Sequence, residues 1–356
     1  MADNTIKLFF ELIKIAVGNQ KELSKAPSDD EWSQLLYLAK KQTLIGICFS
    51  AIEQLPVHQR PPKDIILTWF ALTNRIEKRN HVMNQRTQEA VNFFRNKGFK
   101  AVVLKGQGIG QLYLVPERRI SGDIDIWLDG GRKRIYEFAR QFDKDGKLYG
   151  VNYHHVHFHL FEDVEVEVHI YPSYMKNPFL NHRLHQFCKQ YPPSNDSMTP
   201  SLAFNRVFIL LHCFDHLTGH GVGLRQVMDY YHVLKQGFTE EEKLETLVWL
   251  KKLHLTTFAA AMMWVMKEVF GLEDEYLLLA PNEKEGRFLL EEICHTGNMG
   301  HYDERHWGSL KTPFSRFLYN IHRDTHFVMH YPQEVLWQPL FNIYLYTRRL
   351  FKGLNH

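Results

Sequence analysis

Residues 102–128 read VVLKGQGIGQLYLVPERRISGDIDIWL, and this stretch decides the fold. At its left end the run 100–106, KAVVLKG, is rich in valine and closed by glycine, which predicts a short buried strand. At its right end Ile124–Leu128 predicts a second strand, stopped by Asp129-Gly130-Gly131. Between them residues 109–115 predict a short helix that ends at Pro116.

Working outward, residues 132–146 carry helical periodicity. Residues 154–161 and 164–170 alternate polar with apolar side chains, as the two arms of a hairpin do. Upstream, Asp29 or Asp30 is expected to cap one helix running through 31–55. A long helix follows Pro61-Pro62, from about Asp64 to Arg95, with Gly98 just past its end. Helical patterns return from Ser201 to the C-terminus. The expected fold class is therefore α+β, a small mixed sheet flanked by helices. The expected division is a helical region 1–97, an α/β core 98–192 and a helical region 193–356, with Pro192–Ser197 as linker.

The chain of 356 residues is 44% apolar and 23% charged, which excludes disordered, fibrous and collagen-like classes. Its 43 basic and 40 acidic side chains neither require nor exclude nucleic acid, and no basic–aromatic alternation marks a nucleic-acid track. Cys48, Cys188, Cys213 and Cys294 are too scattered for a metal or redox pair and suit reduced thiols. The first twenty residues read as an amphipathic helix without a signal-peptide pattern. The apolar stretch at 256–266 is too short to span a bilayer. A cytoplasmic protein without stable membrane insertion is expected.

Asp123 and Asp125 stand two apart, so both side chains project from one face of the strand while Ile124 and Ile126 face the core. Like charges so placed repel one another unless a cation bridges them. Hard divalent ions such as Mg²⁺ take oxygen ligands from one or two carboxylates plus substrate phosphates. Glu165 and Glu167 share a face of the last strand, and either can supply a third carboxylate. Three carboxylates from two strands suit two metals clamping an in-line phosphoryl displacement. Alone, the Asp-x-Asp pattern equally describes a solvated strand with exposed acids. For the hairpin, a three-residue loop at 162–164 gathers the valines on one face and places His159 opposite Glu167.

The same string resembles the DNA polymerase β-like nucleotidyltransferase superfamily. More closely, it is similar to a large bacterial group of uncharacterised nucleotidyltransferases. That group shows Leu-Lys-Gly after the first strand, an Arg shortly before Gly-Asp-apolar-Asp, and an acidic-apolar-His element on a later strand. Here these correspond to Leu104-Lys105-Gly106, Arg119, Gly122–Ile126 and Glu167-Val168-His169. The segment 223–229, GLRQVMD, resembles the group's Leu-Arg…Asp helix and puts Arg225 and Asp229 beside the site. The resemblance implies an enzyme moving a nucleoside monophosphate from an NTP such as ATP to an unknown acceptor hydroxyl. It implies Mg²⁺ or Mn²⁺ held by Asp123, Asp125 and Glu167, with Asp125 or Glu167 accepting the hydroxyl proton. Lys105, Gly106, Arg119 and Ser121 would hold the triphosphate. Two departures from the general superfamily suit the subgroup: Gly106-Gln107 replaces Gly-Ser or Gly-Gly, and the spacing to Asp123 is longer.

His212, His216 and His220 recur every four residues, but Gly219 and Gly221 predict a helix end before His220, so structural or supporting histidines are expected. The basic segment 347–352, TRRLFK, reads as the solvated end of a bundle helix. The competing functional readings are a non-catalytic nucleotide- or partner-binding module and a phosphohydrolase using the same acids.

Overall fold

A computed structural model describes residues 2–142, 146–305 and 312–352. Four helices come first: α1 (Ala2–Ala16), α2 (Asp29–Lys41), α3 (Ile45–Gln54) and α4 (Lys63–Asn96). The α/β unit follows as β1 (Ala101–Val103), α5 (Gln107–Gly110), β2 (Ile124–Leu128), α6 (Gly131–Phe142), β3 (His155–Phe158) and β4 (Val166–His169). After it come α7 (Pro178–Gln190), α8 (Leu202–Gly219), α9 (Leu224–Leu234), α10 (Glu240–Lys252), α11 (Thr256–Val265) and α12 (Glu283–Thr296). The chain closes with α13 (Pro313–Phe327), α14 (Pro332–Val335) and α15 (Gln338–Lys352). This is an α+β fold with a four-stranded mixed sheet in the order β1-β2-β4-β3. The pairs β1–β2 and β3–β4 are antiparallel and β2–β4 is parallel.

The sheet has two unlike faces. Ile124, Ile126, Val156, Val166 and Val168 pack with Val91 and Phe94 of α4 and Ile135 of α6 in one apolar cluster. Trp127, one residue out of phase, turns to the other face and stacks on Phe204 of α8 with ring centroids 5.5 Å apart. It belongs to a larger cluster that mixes α1–α3 with α8–α12. The helical segments on either side of the sheet thus share one core. Asp125 lies on Trp127's face, because side chains two apart on a strand share a side. It is thereby held under the helical layer.

Several local expectations are corrected. The helix predicted over 31–55 is two helices, parted at Thr43, whose φ is +54°. Ser28, not Asp29 or Asp30, caps α2: its hydroxyl accepts from Glu31 N at 3.3 Å and Glu31 accepts from Ser28 N at 2.9 Å. The short helix expected at 109–115 occupies Gln107–Gly110 instead. The helix expected over 132–146 is described from Gly131 to Phe142, and 143–145 lie outside the described residues. The hairpin register is shifted by two residues. His157, not His159, stands opposite Glu167, and Val156 opposite Val168. The connection runs from His159 to Glu165 rather than over three residues, because Val164 turns into the core and Asp163 is tied to α4. Arg86 Nε sits 3.1 Å from the Asp163 carboxylate, and Arg79 donates to its carbonyl at 2.9 Å. The face assignment survives, since a shift of two keeps every side chain on its side. The arginines and lysine of TRRLFK fall among side chains outside the described residues.

Candidate active site

Asp125 sits mid-β2 and pairs in register with Glu167 on the parallel neighbour β4, with Trp127 opposite His169. The Asp125 carboxylate is buried, and two cations reach it. Lys105, two residues past β1, places Nζ 3.2 Å from Oδ1, and His169 places Nε2 2.9 Å from the same oxygen. Burial alone would raise the Asp125 pKa, but Lys105 and His169 outweigh it and hold the carboxyl well below its usual range. The effect on His169 is reciprocal. Burial disfavours its charge, yet Asp125 and Glu167, the latter at 3.6 Å, hold its pKa up to about 9. Glu167 is likewise ionised, with burial opposed by the His169 contact.

Asp123 lies one step before β2 and lines the cleft with Asp125 and Glu165. Its pKa is raised, first by the neighbouring Asp125 charge and then by burial, with Lys105 giving partial relief. A partly buried carboxylate whose largest perturbation is like-charge repulsion is a place for added positive charge. The donor chemistry fits a divalent cation. Asp125, Glu167 and His169 each bring a ligand atom within 4.8 Å of the others. Asp123 stands outside that group.

A cleft of about 340 Å³ opens over Asp123, Asp125 and Glu165, with Glu167 beside Asp125 in the sheet. Lys105, Gly106 and Gly122 form one side, and His212 and His216 of α8 with Arg225 and Asp229 of α9 form the other. Arg119 also lines it, but its guanidinium is given to Asp229, with contacts of 2.7 Å from Nε and 2.6 Å from Nη2. Tyr113 donates its hydroxyl to Asp229 Oδ1 at 2.6 Å. Ser121 donates to Asn80 of α4 at 2.7 Å, and Asn80 also donates to the carbonyls of Glu117 and Arg119. Arg225 donates to the Ile120 carbonyl at 2.8 Å, while its buried Nε has no hydrogen-bond partner. Burial and the nearby Arg119 charge lower its pKa.

The profile of a family described as uncharacterised nucleotidyltransferase matches residues 28–271. The chain belongs to this family. No curated protein and no solved structure matches it. The match runs from α2 through α11 and so takes in the sheet, the cleft and both helices that wall it. Family membership makes the chain a nucleotidyltransferase, acting on a nucleotide substrate. Among the described residues no helix is long and apolar enough to cross a membrane.

The sequence-predicted residues of the transferase are brought together in part. Lys105, Gly106, Asp123 and Asp125 share the cleft wall, and Glu167 abuts Asp125 through the strand pairing. Ser121 and Arg119 are engaged with Asn80 and Asp229. Sequence reasoning passed over Asn80, although a signal exists: it falls on the buried stripe of α4 with Thr73, Met83 and Thr87, where a polar residue must have partners. His212 and His216, expected as supporting residues, stand in the cleft wall. Their rings lie 4.4 Å apart at the cleft, and burial pushes the His216 pKa down to about 4. His220 follows the end of α8, as the glycines predict.

Proposed function

We propose that this nucleotidyltransferase moves a nucleoside monophosphate from an NTP to an acceptor hydroxyl, using divalent metal held by Asp123, Asp125 and Glu167. The in-register pairing of Asp125 with Glu167 beneath a cation-lined cleft carries the reading. Mg²⁺ or Mn²⁺ there would neutralise triphosphate charge and acidify the attacking hydroxyl. The protein's own residues do the rest. Lys105 is a point charge poised to exchange Asp125 for phosphate oxygen. Gly106 lets the chain turn tightly beside it. Arg225, buried with an unused Nε, adds a second cation facing the cleft. Arg119 and Ser121 hold the loop before β2 in place through Asp229 and Asn80, beside the triphosphate. Asp125 or Glu167 accepts the acceptor's proton. The core at 98–192 supplies the acids, and the segment 193–356 supplies the opposite wall through α8 and α9. The four free cysteines suit a reducing compartment such as the cytoplasm.

The test is purified protein with Mg²⁺ and each NTP, measuring nucleotide protection against thermal unfolding and pyrophosphate release with candidate hydroxyl acceptors. Wild type should bind metal–NTP and Asp123→Asn/Asp125→Asn should not. Equal binding by the double variant overturns the assigned site. Release of inorganic phosphate instead of pyrophosphate would replace transfer with hydrolysis.

A further inference from the structure

Two histidines on the outer part of the sheet, His155 and His157 of β3, have no part in the transfer chemistry, and Glu165, just before β4, lines the cleft and also pairs with His157. In the ladder, His157 stands opposite Glu167 and His155 opposite His169, so the imidazoles and Glu167 share the polar face. We propose that His155, His157 and Glu167 form a second metal site, distinct in hardness from the first, that takes a borderline transition ion of the Zn²⁺ type. The proposal rests on the transfer reading only in sharing Glu167.

The two imidazoles approach different oxygens of the Glu167 carboxylate at distances longer than charged hydrogen bonds. His155 Nδ1 lies 3.3 Å from Glu167 Oε2, and His157 Nε2 lies 3.4 Å from Glu167 Oε1. Ligand atoms arranged tetrahedrally around a Zn²⁺ ion at its usual bond lengths are about 3.4 Å apart. A charged imidazole–carboxylate hydrogen bond would instead close to about 2.8 Å. His155 is nine-tenths buried, yet its Nδ1 has no hydrogen-bond partner and points at Glu167. One ligand atom from each of the three residues fits within 4.8 Å of the others.

The surroundings follow the pattern of a ligating histidine. Such a residue turns its second nitrogen to a carboxylate, which fixes the ring and raises ligand basicity. His157 does this, with Nδ1 paired to Glu165 while Nε2 faces Glu167. Two imidazoles and one carboxylate select Zn²⁺-like ions, whereas carboxylate and phosphate oxygens select Mg²⁺ or Mn²⁺. His157 and Glu165 are partly solvent-exposed, so an entry path and a water ligand are available. An ion here would clamp β3 to β4 and fix the side chain of Glu167.

The experiment uses the full chain, stripped with chelator and titrated with Co²⁺ followed by Zn²⁺. It reads the visible Co²⁺ spectrum, its displacement by Zn²⁺ and the bound-metal stoichiometry. Wild type should bind one equivalent, with X-ray absorption of the Zn²⁺ form reporting two imidazoles. His157→Gln, at a partly exposed position, should weaken Zn²⁺ at least tenfold and erase the tetrahedral Co²⁺ spectrum while leaving the thermal melt of metal-free protein near wild type. Asp123→Asn should keep both, although it is expected to abolish metal–NTP binding. The two readings therefore fail separately. Zn²⁺ binding by His157→Gln at wild-type affinity, or loss of Zn²⁺ in Asp123→Asn with retention in His157→Gln, overturns the site. So does a wild-type protein that binds no equivalent at micromolar Zn²⁺.

Discussion

Arg119 grips Asp229 with two nitrogens, joining the loop before β2 to α9 through a buried ion pair. Both side chains are only 5% exposed, so neither charge has water to fall back on. Breaking such a pair from one side strands the other charge and costs about 3–5 kcal/mol. Asp229→Ala should therefore lose stability on that scale in urea unfolding. Arg119→Leu/Asp229→Leu should recover most of it. A single-variant loss below about 1 kcal/mol would show that the pair is not desolvated in solution.

Asp123 and Asp125 should respond with opposite signs. Asp125 is compensated by Lys105 and His169, so Asp125→Asn leaves both cations short of a partner and should destabilise metal-free protein by about 2–4 kcal/mol. The raised pKa of Asp123 comes first from repulsion by Asp125, so Asp123→Asn relieves a cost. It should be neutral or up to about 1 kcal/mol stabilising without metal. With Mg²⁺ and NTP, neither variant should gain the stabilisation that wild type shows. Thermal melts in chelator and in metal–NTP read both effects. Equal destabilisation of the two variants without metal would contradict the repulsion.

What the sequence disclosed and withheld divides along physical lines. Period-two alternation and glycine stops placed β1 and β2 and assigned the faces of β3 and β4, because those signals are local. The register between β3 and β4 was not legible, because it depends on Asp163 meeting Arg86 of α4, a long-range contact. Asp125 and Glu167 were named from the sequence, but the embrace of Arg119 by Asp229 brings together residues 110 apart. The break at Thr43 was missed because threonine at φ +54° contradicts its own preference. That strain makes a prediction. Thr43→Asn, better suited to the left-handed region, should stabilise the protein by about 0.5–1 kcal/mol without changing nucleotide affinity. A chemical-denaturation midpoint at or below wild type would show that the site carries no strain.

Acid should weaken the fold through the cleft histidines. Burial is the main reason that His216 resists protonation, and Lys105 and Arg225 add to it against an opposing pull from Asp215. Its pKa falls from 6.5 to about 4 on folding. Above pH 6.5 both folded and unfolded forms are neutral, and the contribution to stability is complete. Between 6.5 and 4 the unfolded chain binds the proton first, so stability drops as pH falls, by on the order of 3 kcal/mol at the bottom of the window. His216→Gln should flatten that part of the profile in urea unfolding followed from pH 7 to pH 4. A variant with the wild-type slope would place the acid sensitivity elsewhere.

Gly106 offers the most direct test of how the cleft is shaped. Its backbone sits at φ +56°, ψ −113°, a region closed to residues with a side chain. An added Cβ would meet only the Asp123 carbonyl, at an ordinary 3.6 Å, so the penalty is conformational rather than steric crowding. Gly106→Ala should therefore fold, at a cost of about 1–3 kcal/mol, with the strain relieved by rotating the turn between Lys105 and α5. That rotation moves Lys105 Nζ away from its 3.2 Å contact with Asp125 and reshapes the cleft floor. Affinity for Mg²⁺–NTP, measured by calorimetry, should fall at least tenfold. Gly131→Ala, also at positive φ (+72°) and with nothing near its Cβ, should cost similar stability and leave nucleotide affinity intact. If both variants bind nucleotide like wild type, the turn after β1 does not cradle the triphosphate.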